Sequence, residues 1–393
     1  MSRRHLLTLL KLLVAAGLIG WVVDSAGWDT IHGALVSIDR SGWLQGLSLI
    51  VMATCLAILR WHLLMRSVGL HSTPWVALRL GFIGVFASNV VPGLTGGDLV
   101  KAIYISRENP GQRTAAVVSV IVDRIIGIVA LALIAAVVLP LDIERFGQAA
   151  WGIYGFLAAS AVGSVLVLSR RAKDRLRPLL GRSGRMGRSA SGFLGRVSAF
   201  LGKTDDAVSM YRHRIGAMVV AILLSFVVHL LIIMSLKIFG DAMARGGMAA
   251  IDANKAQVTT AEEAASAVAQ YQDYVHLESV RLTEYCSIVP VIMIISALPI
   301  TPAGWGVGEK AFQHFFLSVS VSPGHSAALS LTYRITTLLV SLVGGVLLVV
   351  DRKRVLEAAS SAQNEEGEPR SEGCAGPSTA GSAALGDSGA GPA

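Results

Sequence analysis

The sequence predicts an all-α integral membrane protein with about six full transmembrane helices plus two re-entrant broken-helix hairpins in inverted topology. Three observations predict it. The 393 residues are 53% hydrophobic and only 15% charged, against about 25% charged in an ordinary soluble domain. Apolar runs near the length of a bilayer crossing recur along the chain. Two further apolar stretches, Val76–Ser106 and Tyr285–Val321, are broken at their middles by proline, glycine and a carboxylate. Hydrocarbon satisfies no backbone N–H or C=O group, so a break at membrane depth needs cover from protein or a polar cavity.

The first run, Leu6–Val23, follows Arg3-Arg4-His5 and reads as a retained helix rather than a signal peptide, because no small-residue cleavage site stands out. Trp43–Leu59 is the second span. Val76–Ser106 is the first hairpin, each half being short against the roughly 20 residues of a full crossing. Ala115–Leu139, Trp151–Leu168 and Ile215–Ile238 are the next three spans, Tyr285–Val321 the second hairpin, and Ala327–Val350 the last span. Residues 169–214 form a loop crowded with arginine and lysine, faced only by Asp174, Asp205 and Asp206. Positive loops stay in the cytoplasm. The N-terminal arginines and Arg352-Lys353-Arg354 belong on the same side, and parity then excludes a single crossing by Val76–Ser106. Two full crossings serve parity equally well, but each half is short for a span of roughly 20 residues, so both broken stretches are read as entering and leaving on one face. The first opens to the cytoplasm, the second to the outside.

Residues 1–350 thus form one polytopic membrane domain. Residues 241–284 form an extracytoplasmic insertion, in which Thr260 and Glu263 are spaced as a capping box. Ala261, Ala264, Ala265, Val268, Tyr271, Gln272 and Val275 leave a weak apolar stripe, a surface for the membrane or a protein partner, though a solvated insertion with no part in transport is the favoured reading. The Gly-, Ser- and Glu-rich tail, 351–393, lacks the apolar content to fold and is expected to be disordered and cytoplasmic.

The formal charge of +8 resides mostly in loops beside apolar segments, which argues for membrane orientation and against nucleic acid. Cys55, Cys286 and Cys374 have no metal-ligand spacing. No catalytic motif is present, so neither an enzyme nor a metal or other cofactor is expected. Asp24 and Asp29, in the first outer loop, mimic the acidic site of a membrane glycosyltransferase, but two loop aspartates are ordinary. Nothing in the sequence fixes an oligomeric state.

The candidate site lies where the hairpins break. In the first, Asn89, Pro92, Gly93, Gly96, Gly97, Asp98 and Lys101 suit an incoming half-helix ended by proline and an outgoing one started at Asp98. A half-helix N-terminus offers unpaired N–H groups and a positive dipole end to a phosphate or carboxylate, and Lys101 adds a full charge. The second repeats the order with Pro299, Pro302, Gly304, Gly306, Glu309 and Lys310, and Trp305 at the tip fills space. Asp123-Arg124 and Tyr333-Arg334 lie inside spans, where a charge costs about 2.5–3.5 kcal/mol and is usually paired. Asp98, Asp123 and Glu309 are the acids available to Arg124 and Arg334. His229 reads as a core histidine, and Lys237 as snorkelling outward.

Together, Asn89-x-x-Pro92-Gly93-x-x-Gly96-Gly97-Asp98-x-x-Lys101, Asp123-Arg124, Pro299-x-Thr301-Pro302-x-Gly304-x-Gly306-x-x-Glu309, Tyr333-Arg334 and Arg60-Trp61 resemble the flippase-like membrane domain of lysylphosphatidylglycerol synthases, the UPF0104 family. The resemblance covers about Leu6–Val350. It implies a multi-pass protein of the cell inner membrane that binds a membrane lipid or lipid-linked head group and moves it across. Only a short polar tail follows Val350, so the aminoacyl-transferase part of those synthases is not expected in this sequence. Ala303, Lys101 and Asp123 stand where glycine, arginine and glutamate are common, and the 241–284 insertion is long. The expected function is a lipid translocase; the alternatives are an accessory subunit of a lipid or glycan biosynthesis complex and a membrane transferase.

Overall fold

A computed structural model describes residues 17, 20–24, 27–90, 96–138, 140, 155, 210–211, 214–255, 259–296, 301 and 304–350. Most of the first run (Leu6–Val23), the fifth (Trp151–Leu168), nearly all of the basic loop 169–214, the tail 351–393, and Pro92, Gly93 and Pro302 lie outside the described residues. The chain falls into two units, Met1–Leu348 and Val349–Ala393; the elements below lie in the first, save the last two residues of the final helix.

The described residues are nearly all helical and contain no strand. In order they form α1 (Trp28–Val36), α2 (Arg40–Ser67), α3 (Pro74–Val90), α4 (Gly96–Glu108), α5 (Arg113–Val138), α6 (Ile215–Asn254), α7 (Ala261–Ser279), α8 (Leu282–Ser296), α9 (Val307–Leu317) and α10 (Pro323–Val350). Four of these, α2, α5, α6 and α10, are long and apolar enough to cross a membrane. A fifth span results if α7 and α8, which meet at 88°, count as one. The protein is therefore a multi-pass helical membrane protein.

Asp39 starts α2. Its carboxylate accepts from the Ser41 hydroxyl at 2.6 Å and from the backbone N–H groups of Ser41 and Gly42, bonds that hold it below the usual carboxylate range. α2 and α6 pack antiparallel. Gly42 lies against Ala242, Gly46 against the Phe239 ring, and the Tyr211 hydroxyl donates to the Leu64 carbonyl at 3.0 Å. Small residues let two membrane helices approach closely. α10 joins through the Trp43 indole, which donates to Thr336 Oγ1 at 3.1 Å.

Each broken stretch folds as an antiparallel pair of helices. In the first, Arg79 of α3 pairs with Glu108 of α4 at 3.1 Å, and Gly97 lies against Gly84 and Ser88. In the second, Tyr285 of α8 meets Phe316 of α9 edge-on at 5.3 Å, and Gly308 lies against Ser296. Each pair has its own apolar core. Ile58, Trp61, Leu80, Ile105 and Ala116 bind the first to α2 and α5. Phe239, Tyr285, Phe312, Phe316 and Ala328 bind the second to α6 and α10.

The insertion departs from expectation twice. α6 does not end near Ile238 but continues to Asn254. Its 40 residues make a helix roughly 60 Å long, twice the hydrocarbon thickness. The continuation is held because α7 turns back along it: Tyr274 packs on Gly247, and Lys237 bridges Asp241 at 2.5 Å and the Glu278 carbonyl at 3.3 Å. That bridge also replaces the expected outward reach of Lys237. Second, α7 buries Tyr274 and Leu277. Of the stripe read from the sequence, only Tyr271 is half-buried; Ala261, Ala264, Ala265, Val268, Gln272 and Val275 are exposed. The aromatic and leucine side chains offer more apolar area than the alanines, and they set the face. The Thr260–Glu263 capping box forms as expected.

Candidate functional site

The charged residues of the broken stretches gather in two clusters, one at each hairpin. At the first, α4 begins at Gly96 just beyond the break. A Cβ on Gly97 would collide with the Gly84 carbonyl, so only glycine lets α3 and α4 approach this closely. Asp98, the third residue of α4, receives both Nε and Nη2 of Arg124 from α5, at 2.6 and 3.1 Å. Such a fork is the strongest form of carboxylate pairing. Arg124 remains accessible, with 56% of its side chain exposed, whereas Asp98 keeps 16%.

Asp123 takes a different partner from those expected. Its Oδ1 accepts from Arg60 Nε of α2 at 2.8 Å, and Arg60 Nη1 reaches Ser225 Oγ of α6 at 2.6 Å. Arg60 is buried, so this pair ties three helices together behind the Asp98–Arg124 fork. Lys101, one turn after Asp98, lies against Gly84 with its ammonium 5.2 Å from the centre of the Trp61 ring. Asn89 is half-buried in the last turn of α3.

At the second hairpin Gly304 and Gly306 have φ of 71° and 80°, a left-handed backbone that glycine alone adopts freely. They turn the chain into α9, whose third residue is Glu309. Glu309 Oε2 accepts from the Gly306 N–H at 2.6 Å, and its other oxygen forms an ion pair with Arg334 of α10. Arg334 Nη2 also donates to the Gly304 carbonyl at 2.7 Å, and its guanidinium lies 4.8 Å from the centre of the Trp305 ring. Trp305 thus packs on the arginine. Tyr333 packs against the principal apolar core. Lys310 lies 3.8 Å from the Trp21 ring centre and donates to Gln313 Oε1 at 3.0 Å.

The two clusters share one register. Gly97-Asp98 and Gly308-Glu309 are the second and third residues of α4 and α9. Arg124 and Arg334 are each the twelfth residue of the long helix that follows. A hairpin acid, then an arginine one helix later that clamps it, occurs twice.

Sequence reasoning missed Arg60 as the partner of Asp123, Trp61 beneath Lys101, and the Trp21–Lys310–Gln313 group. The Arg60-Trp61 dipeptide was the available signal. His229 is a core histidine as expected, its Nε2 3.1 Å from the Gly127 carbonyl. Among the described residues no group of His, Cys, Asp and Glu is placed to hold a metal ion. Asp24 and Asp29 are both exposed.

Residues 8–245 and 275–345 match the family model of the lysylphosphatidylglycerol synthase TM region. The chain belongs to this family. The match skips 246–274, which holds the end of α6 and most of α7. No curated protein matches the chain. Membership of the lysylphosphatidylglycerol synthase TM region agrees with a membrane role connected to lipids.

Proposed function

We propose that the chain is a flippase-like lipid translocase of the cell inner membrane, with six full spans and both termini in the cytoplasm. The hairpins α3–α4 and α8–α9 are re-entrant and open to opposite faces, as inverted repeats of transporters do. A head group crosses through the polar region that the hairpins line, while its acyl or prenyl chains stay in the bilayer. The observation that supports this is the repeated clamp: Asp98–Arg124 and Glu309–Arg334 occupy the same register on the two hairpins. Charges at membrane depth are expensive, and a structural purpose alone does not call for the same pair twice at the start of a broken helix.

The roles divide by engagement. Arg334 is held by Glu309, the Gly304 carbonyl and Trp305, and it fixes the second hairpin's turn. Arg124 is half-exposed and Lys101 is held by no carboxylate among the described residues, so these two meet the phosphate. Reconstituted into liposomes with head-group-labelled lipids, the protein should move label between leaflets. Arg124→Ala and Glu309→Ala should each lower that rate at least about tenfold without unfolding the protein. Unchanged rates in both variants contradict the proposal.

One observation favours a second reading, an accessory subunit of a lipid or glycan complex. The family match skips 246–274, and α7 there carries the exposed Ala261, Ala264, Ala265, Val268 and Val275. Deleting 246–274 separates the two: a translocase keeps both its liposome activity and its cellular function, whereas loss of cellular function that Arg124→Ala and Glu309→Ala do not reproduce supports a partner at α7.

A further inference from the structure

The stretch that the family model skips, 246–274, ends on Asp273 and Tyr274, and these two residues meet a buried histidine at the start of α10. His325 stands just before the last apolar run, Ala327–Val350, and is 2% exposed. The Tyr274 ring meets it edge-on, with centroids 4.4 Å apart. Nδ1 of His325 is 2.8 Å from the Ser322 hydroxyl, and its Nε2 is buried with no hydrogen-bond partner among the described residues. Whichever nitrogen carries the proton, the imidazole is half satisfied in its seat. Water would satisfy both nitrogens, so the seat already costs the neutral ring one bond.

A second proton worsens the fit. It makes both nitrogens donors and places a charge on a ring shut off from water. Among the described residues the one charge acting on the ring is the Asp273 carboxylate of α7, 3.9 Å from the nitrogen that Ser322 already holds. Asp273 is 41% exposed, so water screens it. Tyr274 is the other titratable group against the ring, and Ser322 does not titrate. From α9 the neighbour at this turn is the uncharged Gln313, whose Nε2 reaches the Pro323 carbonyl at 3.5 Å. No acceptor stands ready for a charged Nε2–H.

We propose that this joint is a pH-sensitive latch: near neutral pH the uncharged His325 seats α7 on the start of α10, and acidification charges the ring and releases α7. Charging costs more in the seat than in water, so acid favours release. The seat holds above about pH 6.5, the ordinary histidine value, and weakens as pH falls below it. Asp273 and Tyr274 lie outside the family match, so the latch is a device of this chain added to the shared domain. Under the topology proposed above, the pH it reads is that outside the cell.

Hydrogen exchange on the full chain in detergent, read over residues 271–279 and corrected for the intrinsic rate, tests the latch whether or not the protein moves lipid. Freed of its seat, a helix of 19 residues is marginal in water, so exchange reports release. Wild-type exchange there should rise at least about fivefold from about pH 7.0 to 5.5. His325→Asn keeps a polar atom at the Nδ1 position and cannot titrate, and its exchange should be flat across the window. Tyr274→Leu opens the seat from the other side; it should raise exchange at pH 7.0 and cut the ratio below about twofold, which keeps the test decisive if His325→Asn does not fold. Asp273→Asn should retain the response, and so should His276→Asn on the exposed face of α7. A flat or inverted wild-type response overturns the proposal, as does a response that survives His325→Asn or Tyr274→Leu, or one lost in Asp273→Asn or His276→Asn.

Discussion

Arg60 and Arg124 carry the same charge to adjacent acids, yet their burial assigns them different work. The Arg60–Asp123 pair is 8% and 13% exposed and also satisfies Ser225. Removing the arginine leaves a buried carboxylate without its partner, while the Ser225 hydroxyl keeps only its bond to the Ala221 carbonyl at 2.8 Å. Arg60→Ala should therefore destabilise the protein by about 3 kcal/mol, read as a lowered Tm in detergent, with Asp123→Asn restoring part of it. Arg124 is 56% exposed, and Arg124→Ala should shift Tm little while lowering transport. A Tm loss for Arg124→Ala as large as for Arg60→Ala would show that the fork is structural. Gly97→Ala should cost more folding yield than Gly111→Ala. The Gly97 Cβ meets the Gly84 carbonyl, whereas the Gly111 Cβ meets open space, its positive φ notwithstanding. At this scale the sequence was informative where a charge inside a span demanded a partner close along the chain fold, as for Asp98–Arg124 and Glu309–Arg334. It assigned Asp123 the wrong partners, because Arg60 lies 63 residues away and stands near the end of a span, where a snorkelling arginine needs no partner.

Among the elements, the hairpins were legible and the insertion was not. Proline and glycine inside an apolar stretch announce a break whatever the tertiary fold, and the Thr260–Glu263 spacing announces the start of α7. Hydropathy, however, marks where a membrane ends, not where a helix ends. The residues after Asp241 are helix-compatible and gain packing from α2 and α7, so α6 runs on. The packing face of α7 was misjudged because a stripe of alanines looks apolar but buries less than Tyr274 and Leu277. The α7 cap has a pH dependence. Glu263 accepts from the N–H groups of Thr259 and Thr260 at 2.9 and 3.1 Å, and these bonds hold its carboxyl below its usual range. A depressed folded value stabilises above the unfolded value and loses that contribution as pH falls through the folded one. Hydrogen exchange at the start of α7 should accordingly accelerate below about pH 4.5 beyond the intrinsic trend, and Glu263→Gln should remove the dependence. Thr260→Ala should weaken the same turn by about 1 kcal/mol at any pH.

For the whole molecule, the two cores divide along the line of the two hairpins. Ile58, Leu80 and Ile105 serve the first, and Tyr285, Phe312 and Phe316 serve the second. Each hairpin is thereby a unit with its own apolar seat and its own acid–arginine clamp, as a protein built of two opposed halves requires. The central claim is that the open ends of these hairpins face opposite sides of the membrane. Cysteine accessibility in intact cells tests it most directly, in a background with Cys55, Cys286 and Cys374 replaced. Gln112→Cys, exposed just beyond α4, and Ser318→Cys, exposed just beyond α9, mark the two open ends. A membrane-impermeant maleimide should label Ser318→Cys from outside and leave Gln112→Cys unlabelled until the membrane is permeabilised. Labelling of both positions from outside, or of neither, would contradict the account.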